Sequence, residues 1–402
     1  MSVKAIKNWL RMPIDYPRAR RSLSRQPALV GRVSRPTLGG RSPRGDIGAD
    51  TPSPSPRRVT TAGGRSTIGA AERGAIGLGL ATEALFVDGG RHLASLAIAA
   101  GRCEYDIVLV CDRLRLGHLG RKTYGGLFLS SPNVRWQSPA DFDRRPSAVD
   151  AFWGDDESWR QTNRAFRPIG VRRDRLAGGI DLPYPMHPIQ SRLHPDPSTL
   201  RSTPRSTRLF FGGNTKASYG KTTFAEFGGL MNRLRVIETA RKVAAKTGGE
   251  SIDIRNVAEQ PIAPQQWLPR VASADFFLCP PGSSQPVCHH LVEAMSVGTI
   301  PILQYGRHID ASLAGDDLAV GFADERSLRS ALQRCLAMSV EEIRRRRDRI
   351  CRWYDDHYRY DDAVAEVIRG RTEAPIVLRV HHENLYDPEP RVVSRPPTRS
   401  AA

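Results

Sequence analysis

The chain alternates short apolar runs with amphipathic stretches over most of its length. Residues 84–87 and 106–111 are predicted as buried strands, with a glycine turn at 88–90 and a helix over 91–100 between them. Residues 133–137 form a weaker third strand candidate. Strand, turn, helix and strand in this order make a βαβ unit, and strands this apolar belong in a parallel sheet covered on both faces.

A second unit with the same alternation follows a segment rich in proline, serine and threonine. Its predicted strands are 209–211, 251–256, 275–279 and 300–303, and its predicted helices are 231–246, 265–274 and 287–297. Ser339 followed by Glu342 is a capping-box pattern, which predicts a long final helix reaching about Trp353.

These patterns predict an α/β protein with two Rossmann-like domains. The first domain is predicted over 80–190 and the second over 208–340. A linker over 191–207 joins them, helices over 341–386 are candidates to return to the first domain, and 387–402 is predicted as a disordered tail.

The net charge of +18 is concentrated at the amino end of the chain. Residues 1–75 carry 15 Lys and Arg against 4 Asp and Glu, and they are dense in Pro, Gly and Ser. A segment with so few apolar residues cannot offset the entropy of ordering it, so a disordered basic tail is predicted. The tail is a candidate for peripheral contact with an anionic membrane. Binding of nucleic acid or another anionic surface is the competing function, but the tail has no interleaved aromatic residues and no nucleic-acid binding motif.

Six cysteines without any Cys-x-x-Cys pair predict reduced thiols. The sequence has no apolar run of spanning length and no secretory signal. A cytoplasmic protein is therefore expected, free or peripheral to the inner face of the membrane.

The segment 276–305 has the richest candidate chemistry, because it places a strand, a turn, a helix and a strand within thirty residues. Pro280, Pro281 and Gly282 end the strand, so the next helix can present its unpaired N–H groups and the positive end of its dipole to a diphosphate. Glu293 lies two turns into that helix, where a carboxylate can accept hydrogen bonds from ribose hydroxyls. The alternative is an ordinary buried strand-turn-helix in an enzyme that uses another nucleotide or none.

The pattern Leu278-Cys279-Pro280, Gly282, Glu293-Ala294, Gly298 and Ile300-Pro301 resembles the GT-B glycosyltransferases, in particular the exostosin-like group. The resemblance is close over about thirty residues, and it implies a GT-B fold with two domains that face a cleft. The first domain would hold the acceptor and the second the nucleotide sugar, with Glu293 bound to the donor ribose. The arginine usual in that family three residues earlier is His290 here, and a neutral histidine would give the phosphate only a hydrogen bond. The alternative for His290 is a plain surface or cap residue. Gln285 replaces a glutamate of retaining relatives, so a neutral amide would contact the sugar, and Ser283 completes the predicted donor-binding turn.

A second candidate donor loop follows the first strand of the second unit. It contains Gly212, Asn214, Lys216 and Lys221, whose basic side chains could neutralise a diphosphate leaving group. A solvated hairpin is the alternative. In the first domain, Asp88 or His92 is the candidate base that removes the acceptor proton, and the alternative is that Asp88 caps the helix that follows it.

Together these features predict transfer of a sugar from a nucleotide diphosphate donor to a hydroxyl of a glycan or lipid-linked acceptor. No cofactor, no metal site and no specific nucleic-acid partner are predicted, because helix dipole and basic side chains would stabilise the diphosphate. The remaining alternative is a catalytically inactive sugar-binding relative.

Overall fold

The computed structural model describes residues 73–145, 147–162, 166–171, 176, 178–220, 229–247, 251–282, 286–306, 309–313, 318–370 and 374–379. Two parallel β-sheets with helices packed against them make up this part of the chain. The predicted α/β class is therefore confirmed. Apart from residues 73–75, both predicted tails lie outside the described residues.

The first sheet begins with six strands from the first half of the chain. They are β1 Gly74–Gly79, β2 Tyr105–Val110, β3 Val134–Gln137, β4 Ala151–Gly154, β5 Phe166–Gly170 and β6 Ile180–Leu182. β1 pairs in parallel with β2 on one side and with β4 on the other, which gives the order β3-β2-β1-β4-β5. This is the strand order of a Rossmann fold, in which the chain reverses direction across the sheet beside the first strand.

The prediction of a first strand over 84–87 is wrong. The strand is Gly74–Gly79, and Ala84–Gly90 forms a 3-10 turn. The glycines that obscured this strand make room for aromatic rings, because a Cβ atom at Gly77 would lie 2.3 Å from the ring of Phe152 on β4.

The second sheet contains β7 Thr207–Gly213, β8 Ile252–Asn256, β9 Ala274–Leu278, β10 Ile300–Leu303 and β11 Val320–Gly321. Its order is β11-β10-β9-β7-β8, and every described pairing in it is parallel. The reversal point therefore lies between β7 and β9. All four strands predicted for this unit are confirmed, with ends that differ by at most two residues from the prediction.

Eleven α-helices lie in the described ranges. They are α1 Arg91–Arg102, α2 Arg113–Gly120, α3 Gly125–Leu129, α4 Pro139–Arg144, α5 Pro188–Leu193, α6 Arg233–Lys246, α7 Pro264–Ala272, α8 His289–Ser296, α9 Glu325–Ala337, α10 Val340–His357 and α11 Tyr360–Arg369. The predicted start of the long helix is confirmed, since the Ser339 hydroxyl accepts a hydrogen bond from the N–H of Glu342.

The chain returns to the first sheet after α11. Strand β12, Ile376–Leu378, lies between β5 and β6 and pairs in parallel with both. The carboxyl end of the described chain is thus part of the first sheet, whose full order is β3-β2-β1-β4-β5-β12-β6.

The segment between the two sheets is partly helical. It contains α5 and a 3-10 turn over Pro197–Ser202. All six cysteines are free thiols. In the parts of the chain that the structure describes, no helix combines the length and the apolar character needed to cross a membrane.

Candidate functional site

Two loops meet at the reversal point of the second sheet. β7 ends at Gly213 and continues into Asn214, while β9 ends at Leu278 and continues into the turn over 279–282. In open α/β sheets, the carboxyl ends of the two strands beside a reversal form the usual ligand crevice. Both predicted donor motifs therefore lie where such a ligand would bind.

Arg233, the first residue of α6, joins the two loops. Its Nε donates to the carbonyl oxygen of Pro281 at 3.0 Å, its Nη1 to that of Asn214 at 3.4 Å, and its Nη2 to the Cys288 sulfur at 3.9 Å. The guanidinium also lies 4.1 Å from the centre of the Tyr219 ring. Only 4% of the residue is exposed.

This buried cation makes no ion pair with any carboxylate among the described residues. By contrast, the exposed Arg235, two residues further along the same helix, pairs with Glu325 at 3.0 Å. Burying an unpaired charge is costly unless a counter-charge arrives. Arg233 therefore gives this edge of the sheet a positive potential.

Helix α8 begins beside Arg233 and adds to that potential. Its N-cap residue is Cys288, whose side chain makes no capping hydrogen bond. The N–H groups of the first turn and the positive end of the helix dipole thus remain available to an anion. The turn that leads to α8 is closed by a hydrogen bond of 3.1 Å from the N–H of Gly282 to the oxygen of Pro286.

Glu293 lies in the second turn of α8 and is completely buried. Its Oε2 accepts from the indole Nε1 of Trp267 at 2.7 Å, and its Oε1 accepts from the backbone N–H of His187 at 3.3 Å. Burial raises the pKa of this carboxyl group, and nearby His290 and the Trp267 hydrogen bond oppose that shift. Both oxygens therefore already have partners, one of them in the segment that connects the sheets.

His289 and His290 pack against other aromatic rings at the start of α8. The His290 ring lies 4.8 Å from that of Trp267, and the His289 ring lies 5.1 Å from that of His187. Burial lowers the pKa of His290 to about 4 and that of His289 well below its usual value. Both imidazoles are therefore neutral near pH 7 and could offer a ligand hydrogen bonds but no charge.

The side chains of Cys288, His289 and His290 are the one group among the described residues with a spacing that could hold a metal ion, since their ligand atoms lie within 4.8 Å of one another. A cation there would sit at the positive end of α8 beside Arg233, which opposes its binding. The positive potential at the start of α8 therefore favours an anion over a cation.

Two residues of the predicted glycine loop, Gly212 and Asn214, make contacts within the protein itself. A Cβ atom at Gly212 would lie 2.7 Å from the Trp267 ring, so this glycine is needed for packing. The side chain of Asn214 accepts from the N–H of Lys216 at 2.9 Å, and Lys216 is exposed. Lys221 of this loop lies outside the described residues, as do Ser283 and Gln285 of the second loop.

Asp88 follows β1 in the 3-10 turn before α1 and has a left-handed backbone, with φ of 49°. Its Oδ2 lies 2.8 Å from Arg91 Nε and accepts from the Tyr184 hydroxyl at 2.8 Å. The N-cap of α1 is Gly90, and no side chain caps this helix. The interpretation of Asp88 as a cap is therefore wrong, and its role as a base stays a prediction.

His92, the other candidate base, is buried in the first turn of α1. Only 1% of it is exposed, and neither ring nitrogen has a hydrogen-bond partner among the described residues. Burial lowers its pKa to about 4. The ring is neutral near pH 7 and can accept a proton, but a base this weak is far from the usual catalytic optimum.

His187 connects the two halves of the site. Its backbone N–H reaches Glu293, its ring packs edge-on against that of His289, and its Nε2 lies 3.0 Å from the Tyr124 hydroxyl. Tyr124 in turn accepts from Arg91 Nη2 at 3.3 Å. A continuous chain of polar contacts thus runs from α1 to α8.

Sequence reasoning missed Arg233, Trp267, His187 and Tyr124, all of which the structure brings to the site. Asn232 before an amphipathic helix was an available signal that places Arg233 at a helix start. We find no comparable signal for the other three, because their partners lie far away in the sequence.

Comparisons with known proteins gave structural neighbours only. No model of a known protein family matches the chain, and no curated protein matches its sequence. The N-terminal domain of Candida albicans trehalose-6-phosphate phosphatase is similar over 76% of this chain and 97% of its own, with 9% identity and a TM-score of 0.42. WaaG, a glycosyltransferase involved in lipopolysaccharide biosynthesis, is similar over 74% and 99%, with 13% identity and a TM-score of 0.33. Anabaena HepE, solved with UDP, is similar over 73% and 98%, with 9% identity and a TM-score of 0.39.

Proposed function

We propose that the protein transfers a sugar from a nucleotide diphosphate donor to a hydroxyl of a glycan or lipid-linked acceptor. The observation that carries this proposal is the guanidinium of Arg233, which is buried at the reversal point of the second sheet without an ion pair among the described residues. A diphosphate placed there would supply the missing counter-charge and accept hydrogen bonds from the first turn of α8.

Departure of the sugar would leave a growing negative charge on the diphosphate. Arg233 and the dipole of α8 would stabilise that charge, and prearranged donors of this kind are worth most in a site that excludes water. The proposal therefore needs no metal ion. It also accounts for the neutral histidines, which can donate hydrogen bonds without the cost of burying further cations.

Glu293 is the proposed ribose ligand, because the sequence pattern around it resembles that of the exostosin-like group. Contact with ribose requires its carboxylate to exchange the Trp267 indole or the His187 N–H for a ribose hydroxyl when the donor binds. Gln285, Ser283 and Lys221 are the further proposed donor contacts.

On the acceptor side, Asp88 is the stronger candidate base. Its side chain is 31% exposed and can reach an acceptor hydroxyl, whereas His92 is only 1% exposed. The cation of Arg91 beside Asp88 would hold the carboxylate in place while it receives the proton of the acceptor hydroxyl.

Binding is tested first with the full chain and a panel of nucleotide sugars, by thermal shift and then by calorimetry. Arg233→Met should weaken the affinity for the best donor by about 10- to 100-fold, because a hydrogen-bonded charge is lost. Arg235→Met, on the exposed side of the same helix, is the matched control and should bind like the wild type. Arg233→Lys keeps the charge, and its donor affinity should lie between those of Arg233→Met and the wild type.

Transfer is tested by release of nucleoside diphosphate when acceptor glycans and lipid-linked glycans are added. Equal affinities of Arg233→Met and wild type would overturn the proposed site. Donor binding without any release would indicate an inactive sugar-binding relative. The competing nucleic-acid function depends on residues 1–75, and no feature of the described site favours it.

A further inference from the structure

The Tyr124 hydroxyl has an unusual set of neighbours. Tyr124 is the N-cap residue of α3, and its backbone N–H donates to the oxygen of Gly89 at 2.8 Å, which holds it beside the loop before α1. Two side chains approach its hydroxyl oxygen, Arg91 Nη2 at 3.3 Å and His187 Nε2 at 3.0 Å. The direction of the phenol proton follows from which of these groups donates.

The proton on His187 can be assigned from its other hydrogen bond. Its Nδ1 accepts from the backbone N–H of Ile189 at 3.2 Å, so this nitrogen carries no proton. Burial, with Arg91 nearby, lowers the pKa of His187 to about 4, so the ring is neutral near pH 7. A neutral imidazole has one N–H, which must therefore be at Nε2 and is donated to Tyr124.

Arg91 is the second donor to the same oxygen. A guanidinium has only donors, so the contact with Tyr124 can run in one direction only. Two donated hydrogen bonds occupy the acceptor capacity of the phenol oxygen. The proton of Tyr124 must then point away from both partners, and none of the hydrogen bonds resolved for the described residues is donated by this hydroxyl.

We infer that Tyr124 donates a hydrogen bond to a distal phosphoryl oxygen of the bound nucleoside diphosphate. A hydroxyl that already accepts two hydrogen bonds, one of them from a cation, is polarised into a stronger donor and suits an anionic oxygen. The His187 ring lies 5.2 Å from that of Tyr124 and 5.1 Å from that of His289, the first residue of α8. Tyr124 thus faces the proposed diphosphate from the first sheet, and this inference rests on the proposed function.

The test compares Tyr124→Phe with wild type by calorimetry, using UDP, GDP, ADP and CDP and the matching monophosphates. The diphosphate affinity should fall about tenfold or more, whereas the monophosphate affinity should stay unchanged. Tyr360→Phe is the matched control, because this buried hydroxyl has no partner among the described residues and lies on α11. Its affinities should equal those of the wild type.

A second variant changes His187, which donates a hydrogen bond to Tyr124, and leaves the tyrosine in place. His187→Asn keeps a good helix N-cap but removes the N–H that fixes the phenol. It should also weaken diphosphate binding more than monophosphate binding. An unchanged diphosphate affinity in Tyr124→Phe, or an equal loss for both ligand classes, would overturn the inference while leaving the proposed function intact. A wild-type protein that binds none of the four diphosphates would instead remove the proposed function, and this inference with it.

Discussion

The buried His92 predicts a measurable dependence of stability on pH. Its pKa is lowered from 6.5 to about 4 by burial, with Arg91 adding to the shift and Asp88 opposing it. Because the folded-state pKa lies below the unfolded one, the unfolded chain takes up the proton first as the pH falls. The stability that the neutral ring contributes is thus complete above pH 6.5 and is lost between about 6.5 and 4.

The size of the effect follows from these two values. Between pH 7 and pH 5, linkage gives a loss of about 2 kcal/mol in the free energy of unfolding from this histidine alone. His92→Leu has a similar volume and no titrating group, so it should not show this part of the loss. The other neutral histidines of the site are present in both proteins and cancel in the comparison.

Melting temperatures of both proteins at pH 7 and pH 5 provide the assay. For a folding unit of roughly 150 to 250 residues, about 2 kcal/mol corresponds to about 4 to 8 °C. The melting temperature of the wild type should therefore fall by about 4 to 8 °C more than that of His92→Leu between pH 7 and pH 5. His357→Leu, at an exposed position on α10, should lose stability in parallel with the wild type. Equal losses in wild type and His92→Leu would refute the assignment of a buried neutral ring.

Three further predictions concern Trp267, Gly212 and the proposed diphosphate site. Trp267→Phe removes the indole donor to Glu293 and should lower the free energy of unfolding by about 1 to 3 kcal/mol in urea titrations, since a buried carboxylate oxygen loses its partner. Gly212→Ala should cost a similar 1 to about 3 kcal/mol by pushing the Trp267 ring, whereas Gly126→Ala, where a Cβ atom meets nothing within 4 Å, should cost nothing. If helix dipole and Arg233 hold the diphosphate, donor affinity measured by calorimetry should be the same with and without EDTA, and a loss in EDTA would contradict that proposal.

The sequence alone was sufficient for the parts of the fold that depend on local patterns. The strand predicted over 106–111 is Tyr105–Val110, and the one over 275–279 is Ala274–Leu278. After Asp106 and Asp275 near their starts, both strands continue as apolar runs. A central parallel strand is covered on both faces, so its apolar run can be recognised in the sequence without knowledge of its partners.

The first strand could not be recognised in the same way. Gly74–Gly79 has three glycines, which favour a break when the sequence is considered alone. In the structure, Gly77 and Gly79 lie against the rings of Phe152 and Trp159, more than seventy residues further along the chain. Their place in a strand depends on partners that no local pattern reveals.

The same distinction separates the residues of the site. The turn over 279–282 and Glu293 were predicted as site residues because their spacing along the chain is itself the signal. Arg233 was not found, since it is one of 60 Lys and Arg residues and its neighbour Arg235 is indistinguishable from it by type. Arg235 is exposed and pairs with Glu325, whereas Arg233 is buried and pairs with no carboxylate among the described residues. The net charge of +18 thus says little about the ligand. A buried cation without a carboxylate partner in the described ranges supports the proposal of a specific anion.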